Sequence, residues 1–313
     1  MRTPRTRHAR AWPYLTPVVV AFAVWIYGPL LATVALSVAQ WDLTSGPPRF
    51  VGAANYRALL AQPEFLASLG RTLLLVGCLL PVATVLPMSL AIALWKRPGR
   101  ASTIYRAVLF LPVVLAPVAT AVSWQFVLNP LQGVLDRVLA LAGVAPVNWL
   151  GDPHTALPVI AAITAGKLIA LNTLLYGAAL SGIDPRVLAA ARLDGASEWE
   201  TTRHLVLSHL RRITVLLAGV CVVLGGQWAF TNVAVLTQGG PDGVTDNVYY
   251  RIYTYGFTFF DTGVASAAAV VLIAVLALPL GVRALTLRRR SAGDHVPERV
   301  DQPTPARHLQ SVT

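Results

Sequence analysis

Polar side chains are rare inside the long apolar stretches of this chain, so the few that occur there mark where chemistry can happen. One stretch carries Gln227, Trp228, Thr231 and Asn232. Gln227 and Thr231 stand one helical turn apart and share a face, with Trp228 beside them. A second stretch carries Lys167, Asn172 and Thr173. An uncompensated lysine at mid-bilayer costs about 2.5–3.5 kcal/mol on insertion scales, so Lys167 is expected to face the protein interior. Amide and hydroxyl groups in such places either hydrogen-bond a neighbouring helix or present themselves to a polar solute, and the residues alone leave both open.

Reaction chemistry is harder to find. Gly166-Lys167 is followed by Leu168 and lacks the earlier glycine of a phosphate-binding loop. There is no His-Glu-x-x-His pair. No pair of carboxylates lies within the apolar stretches, which argues against a proton relay of the secondary-carrier type. Cys78 and Cys221 both sit in apolar runs and define neither a disulfide framework nor a thiolate metal site. No catalytic, cofactor-binding or metal-binding residue is assigned. If the protein moves a solute uphill, the energy must come from another subunit.

The elements that position these residues follow from composition. Hydrophobic residues make up 55% of the 313 and charged residues only 12%, whereas soluble domains carry about 25% charged. Six stretches are long enough to cross a hydrocarbon core, at residues 15–39, 72–95, 107–128, 155–183, 213–236 and 262–282. They are continuously apolar, so they read as helices rather than alternating barrel strands. The expected fold is all-α: a polytopic membrane protein with six spans, comprising a short arm at 1–14, a membrane domain at 15–287 and a tail at 288–313. The first stretch follows Arg2, Arg5, Arg7 and Arg10 and ends near a cleavage-like Ser37-Val38-Ala39. At about 25 residues it exceeds the 7–15 of a signal core and reads as a retained anchor. Prolines recur within the spans, and the paired Pro81/Pro87 and Pro112/Pro117 favour real bends. Gly225-Gly226 is a further soft point in the fifth.

Orientation comes from the basic residues. With the N-terminus in the cytoplasm, 19 of the 25 Lys and Arg lie on the cytoplasmic side, five lie opposite and Lys167 lies within. The acids divide seven and seven. A basic asymmetry without an acidic one satisfies the positive-inside rule and puts both termini in the cytoplasm. It also explains the net charge of +11 without nucleic acid. The polar tail, with Pro297, Pro303 and Pro305, is expected to be disordered.

The loop at 184–212, between spans 4 and 5, has the richest local code. Asp184-Pro185 starts a helix, since Asp caps and Pro fits the first helical position. Asp194-Gly195 breaks it. Ser197 with Glu200 reads as a capping box opening a second helix that leads into the membrane. Such a helix pair either docks on a partner or rests on the headgroups.

Here the residues resemble a known family. The run Ala189-Ala190-Ala191-Arg192-Leu193-Asp194-Gly195-Ala196-Ser197, followed by Leu205-Val206-Leu207, is similar to the EAA loop of ABC importer permeases, in particular the carbohydrate-uptake branch of the maltose and glycerol-3-phosphate type. Further patches follow in the family's order: Phe50-Val51-Gly52-Ala53-Ala54-Asn55-Tyr56, Phe110-Leu111-Pro112, Asn148-Trp149-Leu150-Gly151-Asp152-Pro153, Gly239-Gly240-Pro241 and Phe259 to Ala267. Each patch is weak alone; together they span nearly the whole chain.

The resemblance implies a multi-pass plasma-membrane subunit that pairs with a second permease. Two ATP-binding subunits, holding the ATP and Mg, would drive the pair, and an extracellular solute-binding protein would deliver sugar. Arg186, Ala189, Ala190, Asp194, Gly195, Ala196 and Ser197 would couple to the ATPase. Gln227, Trp228, Thr231, Asn232, Lys167 and Asn172 would line the substrate path, because sugars are held by polar groups and aromatic faces. Two departures stand out: the usual Glu of the triplet is Ala189, and the usual Pro of the Leu-Pro pair is Ser208. Tyr249, Tyr250, Tyr253 and Tyr255 would form an interfacial belt or meet the binding protein. The alternatives are a permease for glycerol 3-phosphate, a polyol or an amino acid, a stand-alone secondary carrier, and a membrane-embedded enzyme.

Overall fold

The computed structural model describes residues 12–44 and 46–293, with side chains from 13 to 278. The expectations for the basic N-terminal start and the proline-bearing tail therefore lie outside the described residues. Helix α1 runs through Trp12–Phe22, a π-helical Ala23–Tyr27 and Gly28–Ser37. A two-residue hairpin follows, with β1 (Ala39–Gln40) antiparallel to β2 (Arg49–Phe50) and Ala39 paired with Phe50. Then come α2 (Ala54–Leu60), α3 (Pro63–Lys96), α4 (Arg100–Val114), α5 (Pro117–Val127), α6 (Val134–Leu141), α7 (Pro153–Leu180) and α8 (Pro185–Leu193). Helix α9 extends over Glu198–Leu236, with a π-helical Thr201–Val206 near its start. The chain ends with α10 (Val248–Tyr253), a π-helical Thr254–Thr258 and α11 (Thr262–Gly293). The compact unit that holds the core ends at Leu272, and a second unit begins at Ile273.

Four helices among the described residues are long and apolar enough to cross a membrane: Pro13–Ser37, α3, α7 and α9. The pair α4 and α5 makes a fifth if it is one broken span, and Thr262–Leu278 is a shorter apolar helix. The core sits where α3, α7 and α9 meet. Leu75, Leu79, Ala83, Leu168, Cys221 and Ala229 form one buried cluster, and Ala91, Tyr176, Leu180, Val206, Leu210 and Leu217 form another.

The bend expected from Pro112 and Pro117 is present, and it is a full break: α4 and α5 meet at 101°, so 107–128 is not one continuous helix. Pro112 is accommodated inside α4, while the break falls at Pro117, where Ala116 is extended (φ −56°, ψ 135°) because a residue before proline avoids the helical region. Pro81 and Pro87, by contrast, both lie inside an unbroken α3. The Gly225-Gly226 pair is not a soft point: it lies within the continuous helix Leu207–Leu236, and Gly226 is required by close packing. A Cβ on Gly226 would collide with the Tyr249 ring, whereas one on Gly225 would make ordinary contact with Leu168 and Leu79. Last, the four tyrosines before α11 do not share one setting: Tyr253 is exposed, whereas Tyr249 and Tyr255 turn inward. Tyr255 is buried and donates to Gln62 Oε1 at 2.6 Å, and Tyr249 lies on Gly226.

Two of the scattered motifs, Phe50 to Tyr56 and Phe259 to Ala267, meet at one knot. Asn55 donates through Nδ2 to the carbonyls of Ser37 (3.0 Å) and Ala39 (2.8 Å), satisfying backbone groups where α1 ends. Tyr56 donates to Ser37 Oγ at 2.7 Å. The amide of Thr262 donates to the Trp41 carbonyl at 3.0 Å. Gly263 is needed because a Cβ there would strike the Ala39 carbonyl and come within 2.9 Å of Asn55 Nδ2. The Asn148–Pro153 patch forms its own corner: Trp149 donates its indole N–H to Asp136 Oδ1 at 3.0 Å, and Asp152 caps α7 through His154 N.

Candidate functional site: an exposed hairpin and a polar seam

The hairpin is built from local code. Asp184 Oδ1 accepts from the Arg186 amide at 2.8 Å, and Pro185 occupies the first turn of α8. Helix α8 ends on Asp194, with Gly195 at φ +79°. The Ala196 amide reaches back to the Ala191 carbonyl (3.0 Å) and the Gly195 amide to that of Arg192 (3.2 Å). These paired bonds define a Schellman cap, which requires a left-handed residue at the glycine. Ser197 and Glu200 then close a reciprocal capping box at the start of α9. The Ser197 hydroxyl, and after it the Ser197 amide, hold the Glu200 carboxyl below its ordinary pKa.

Arg186, Ala189, Ala190, Asp194, Gly195 and Ser197 are all exposed, with Ala196 half-buried. The seven hairpin residues thus lie together on one exposed helix–turn–helix element. Apolar side chains stand out on it as well: Leu193 is 89% exposed and Trp199 68%. Behind the hairpin, Lys96 at the end of α3 pairs with Glu198 at 3.4 Å. A cleft of about 320 Å³ lies there, lined by Trp95, Leu188 and Arg192 among others.

The six path candidates do not form one open site. Lys167, Trp228 and Asn232 converge with Pro117, Thr120, Ile163 and Thr164 around a cavity of about 10 Å³. That is room for at most a single water. Lys167 donates to the Leu115 carbonyl at 2.8 Å, and its ammonium lies 5.1 Å from the centre of the Trp228 ring. Asn232 donates to Thr164 Oγ1 at 3.0 Å. Asn172 lies elsewhere: it is fully buried and donates to the Ala83 carbonyl and to Cys221 Sγ. Gln227 is exposed on α9, and the Thr231 hydroxyl donates to the Gln227 carbonyl at 3.3 Å. Thr231 also lines a wider cavity of about 330 Å³ with Phe230, Gln238, Tyr250 and Tyr253.

Some partners had no sequence flag. Leu115 acts through its backbone, and its carbonyl is freed by a bend whose position a proline only hints at. Thr164 looked like any membrane-helix threonine. Asp246 also went unremarked. It is buried, pairs with Arg251 and receives Arg71 on its carbonyl. Burial pushes its carboxyl above the ordinary range, while Arg251 pulls it back.

Several helices long and apolar enough to cross a membrane, packed around a buried core, define a multi-pass membrane protein. The chain belongs to the binding-protein-dependent transport system inner membrane component family, whose profile matches residues 58–291. It is 31% identical over 271 residues to the probable ABC transporter permease protein YurN of Bacillus subtilis, covering 85% of this chain and 92% of the relative. It is 30% identical to the trehalose/maltose transport system permease protein MalF of Thermococcus litoralis, covering 82% and 86%. The sn-glycerol-3-phosphate transport system permease protein UgpA of Agrobacterium fabrum is 29% identical, with 84% and 90% covered. Among solved structures, a bacterial ABC transporter involved in the import of the acidic polysaccharide alginate has the same fold. That match has a TM-score of 0.76 at 22% identity and covers 90% of this chain and 96% of that one.

Proposed function

We propose that this chain is one permease subunit of an ATP-driven sugar importer in the cell membrane. It crosses the membrane six times with both termini in the cytoplasm, α4 and α5 being one broken span and α11 the last. A second permease completes the pathway, and an extracellular binding protein delivers the sugar. Two cytoplasmic ATPase subunits hold the ATP and Mg, and this chain holds neither.

The observation that carries this reading is the hairpin. A Schellman cap followed at once by a capping box makes a rigid element. Rigid elements transmit force, and exposed Leu193 and Trp199 give it an apolar grip for a partner. The α8 end of the hairpin would sit in a cleft of the ATPase and turn nucleotide-driven closure into movement of α7 and α9, to which it is joined. The missing triplet glutamate, Ala189, alters the charge of that contact, while the turn that gives its shape is intact.

The test is reconstitution of the whole importer in proteoliposomes. Sugar should accumulate only with ATP inside, and Gly195→Val should abolish accumulation. Transport without the ATPase, or a cysteine placed at Ser197 that an impermeant reagent reaches from outside the cell, would sink the reading.

A further inference from the structure

We infer that the path lined by this chain takes uncharged carbohydrate, and that Lys167 is a positioning residue of that path rather than a ligand for an anion. The inference rests on the permease reading above and names the substrate class within it.

The relatives leave the charge of the solute open, since one is named for trehalose and maltose and another for sn-glycerol 3-phosphate. A phosphate or carboxylate buried in a dry path needs cationic donors with free valence, because charge-assisted hydrogen bonds are what offset its desolvation. Lys167 is the cation within the helical seam, and it is 8% exposed. Its ammonium is already engaged from two sides. The Leu115 carbonyl lies just past the end of α4, where the helix dipole favours positive charge. The Trp228 ring offers its face. The cavity beside them has room for a water at most, not for a phosphate.

Among the described residues, no charged side chain lines the cavity at Thr231. Arg251 pairs with the Asp246 carboxylate, and Arg71 donates to the Asp246 carbonyl. Arg106 lies beside Thr173 and Ser181, at the end of α7 from which the hairpin emerges. What the seam does offer a solute is neutral: the Gln227 amide, the Thr231 hydroxyl and the rings of Phe230, Tyr250 and Tyr253. That is chemistry for hydroxyl groups and sugar faces.

Lys167 then has a mechanical task. It holds the carbonyl left over at the α4–α5 break and fixes Trp228 on α9, so three elements keep their angle through one side chain. Removing it should slow the cycle without changing what the path recognises.

The experiment uses the complete importer, with a cysteine at Thr231 as a reporter alkylated in the absence of binding protein. The probes are a neutral malto-oligosaccharide series, glycerol 3-phosphate and an oligouronate. The neutral series should protect the cysteine and the two anions should not. Lys167→Met should lower the maximal uptake rate roughly three- to tenfold, the range set by one interhelical hydrogen bond in a bilayer. It should leave the protection midpoint and KM unchanged, and Lys167→Arg should restore part of the rate. Protection by an anion that Lys167→Met removes, or a Lys167→Met variant with raised KM and unaltered maximal rate, overturns the inference. So does uptake with no protection by any probe. Absence of ATP-dependent uptake of every solute by the unmodified importer overturns the permease reading instead.

Discussion

Asn172 on α7 donates its amide to the carbonyl of Ala83 on α3, the group that Pro87 leaves unpaired. In an uninterrupted helix that carbonyl would accept from the residue four places on, and proline has no N–H to give. The second contact of the same amide, Cys221 Sγ on α9 at 3.1 Å, ties in a third helix. A polar residue that sequence assigned to a solute path is therefore part of the frame. Lys167 repeats the device at the α4–α5 break. At Ala83 a proline frees the carbonyl and at Leu115 the end of a helix does, and in both places a side chain from α7 collects it.

This gives a double-mutant prediction. Asn172→Leu leaves the Ala83 carbonyl buried without a strong donor and should lower the stability of the purified complex by about 0.5–2 kcal/mol. Pro87→Ala restores a backbone donor to that carbonyl. In the Asn172→Leu background it should recover part of the loss, whereas alone it should do little. Melting curves of the four proteins in detergent read the coupling directly. Additive losses would show that the two residues do not share the carbonyl.

The hairpin makes a prediction of a different kind. Gly195 stands at φ +79°, and a Cβ added there would meet nothing within 4 Å. The penalty for a side chain is thus conformational, roughly 1–2 kcal/mol for a left-handed residue. Gly195→Asn should be tolerated better than Gly195→Ala, and Gly195→Val should be worst, since a β-branched residue resists that region most. ATP-driven uptake should fall in that order while the amount of assembled complex in the membrane stays constant. An uptake order that follows side-chain volume alone, with Asn below Ala, would point to a steric contact instead.

How much of this was legible beforehand divides by the range of the interactions. The hairpin was readable because capping is local: Asp184-Pro185, Asp194-Gly195 and Ser197 with Glu200 each act within four residues. The long helices were readable because apolar length is a property of a segment. What Asn172, Asn232 and Lys167 do was not, because each bonds a group on another helix, and two of those groups are backbone carbonyls with no residue-type signature. The bend was half legible. Pro112 and Pro117 marked the segment, and only the extended Ala116 shows which of them breaks it. Asn55 and Gly263 each lay in a separate patch of resemblance, and their shared purpose appears only in their contacts at Ser37 and Ala39.

That knot can be tested by steric overload. Gly263→Ala drives a methyl into the Ala39 carbonyl and toward Asn55 Nδ2. Overpacking of this sort costs about 1–3 kcal/mol. The variant should assemble poorly and melt earlier, and a second change, Asn55→Ala, should not repair it, because the backbone carbonyl is the harder obstacle. A Gly263→Ala complex of unchanged yield and melting temperature would mean that α1 and the start of α11 are not held together in this way.

The two amides of α9 should separate cleanly when each is replaced by leucine. Gln227 is exposed on its helix, and only its backbone carbonyl is engaged, by the Thr231 hydroxyl. Gln227→Leu therefore removes a group that is free to meet a solute, and uptake should weaken through a raised KM with assembly intact. Asn232 is buried and donates to Thr164 Oγ1, which itself donates to the Ile160 carbonyl at 2.7 Å. Asn232→Leu takes the donor from Thr164 and sets a branched side chain against Trp228 and Lys167 in a cavity with no spare volume. Its main effect should be lower stability and lower maximal rate, with KM little changed. If both variants raise KM alike and neither melts earlier, then Asn232 turns toward the solute during transport and the Thr164 bond is not its working contact.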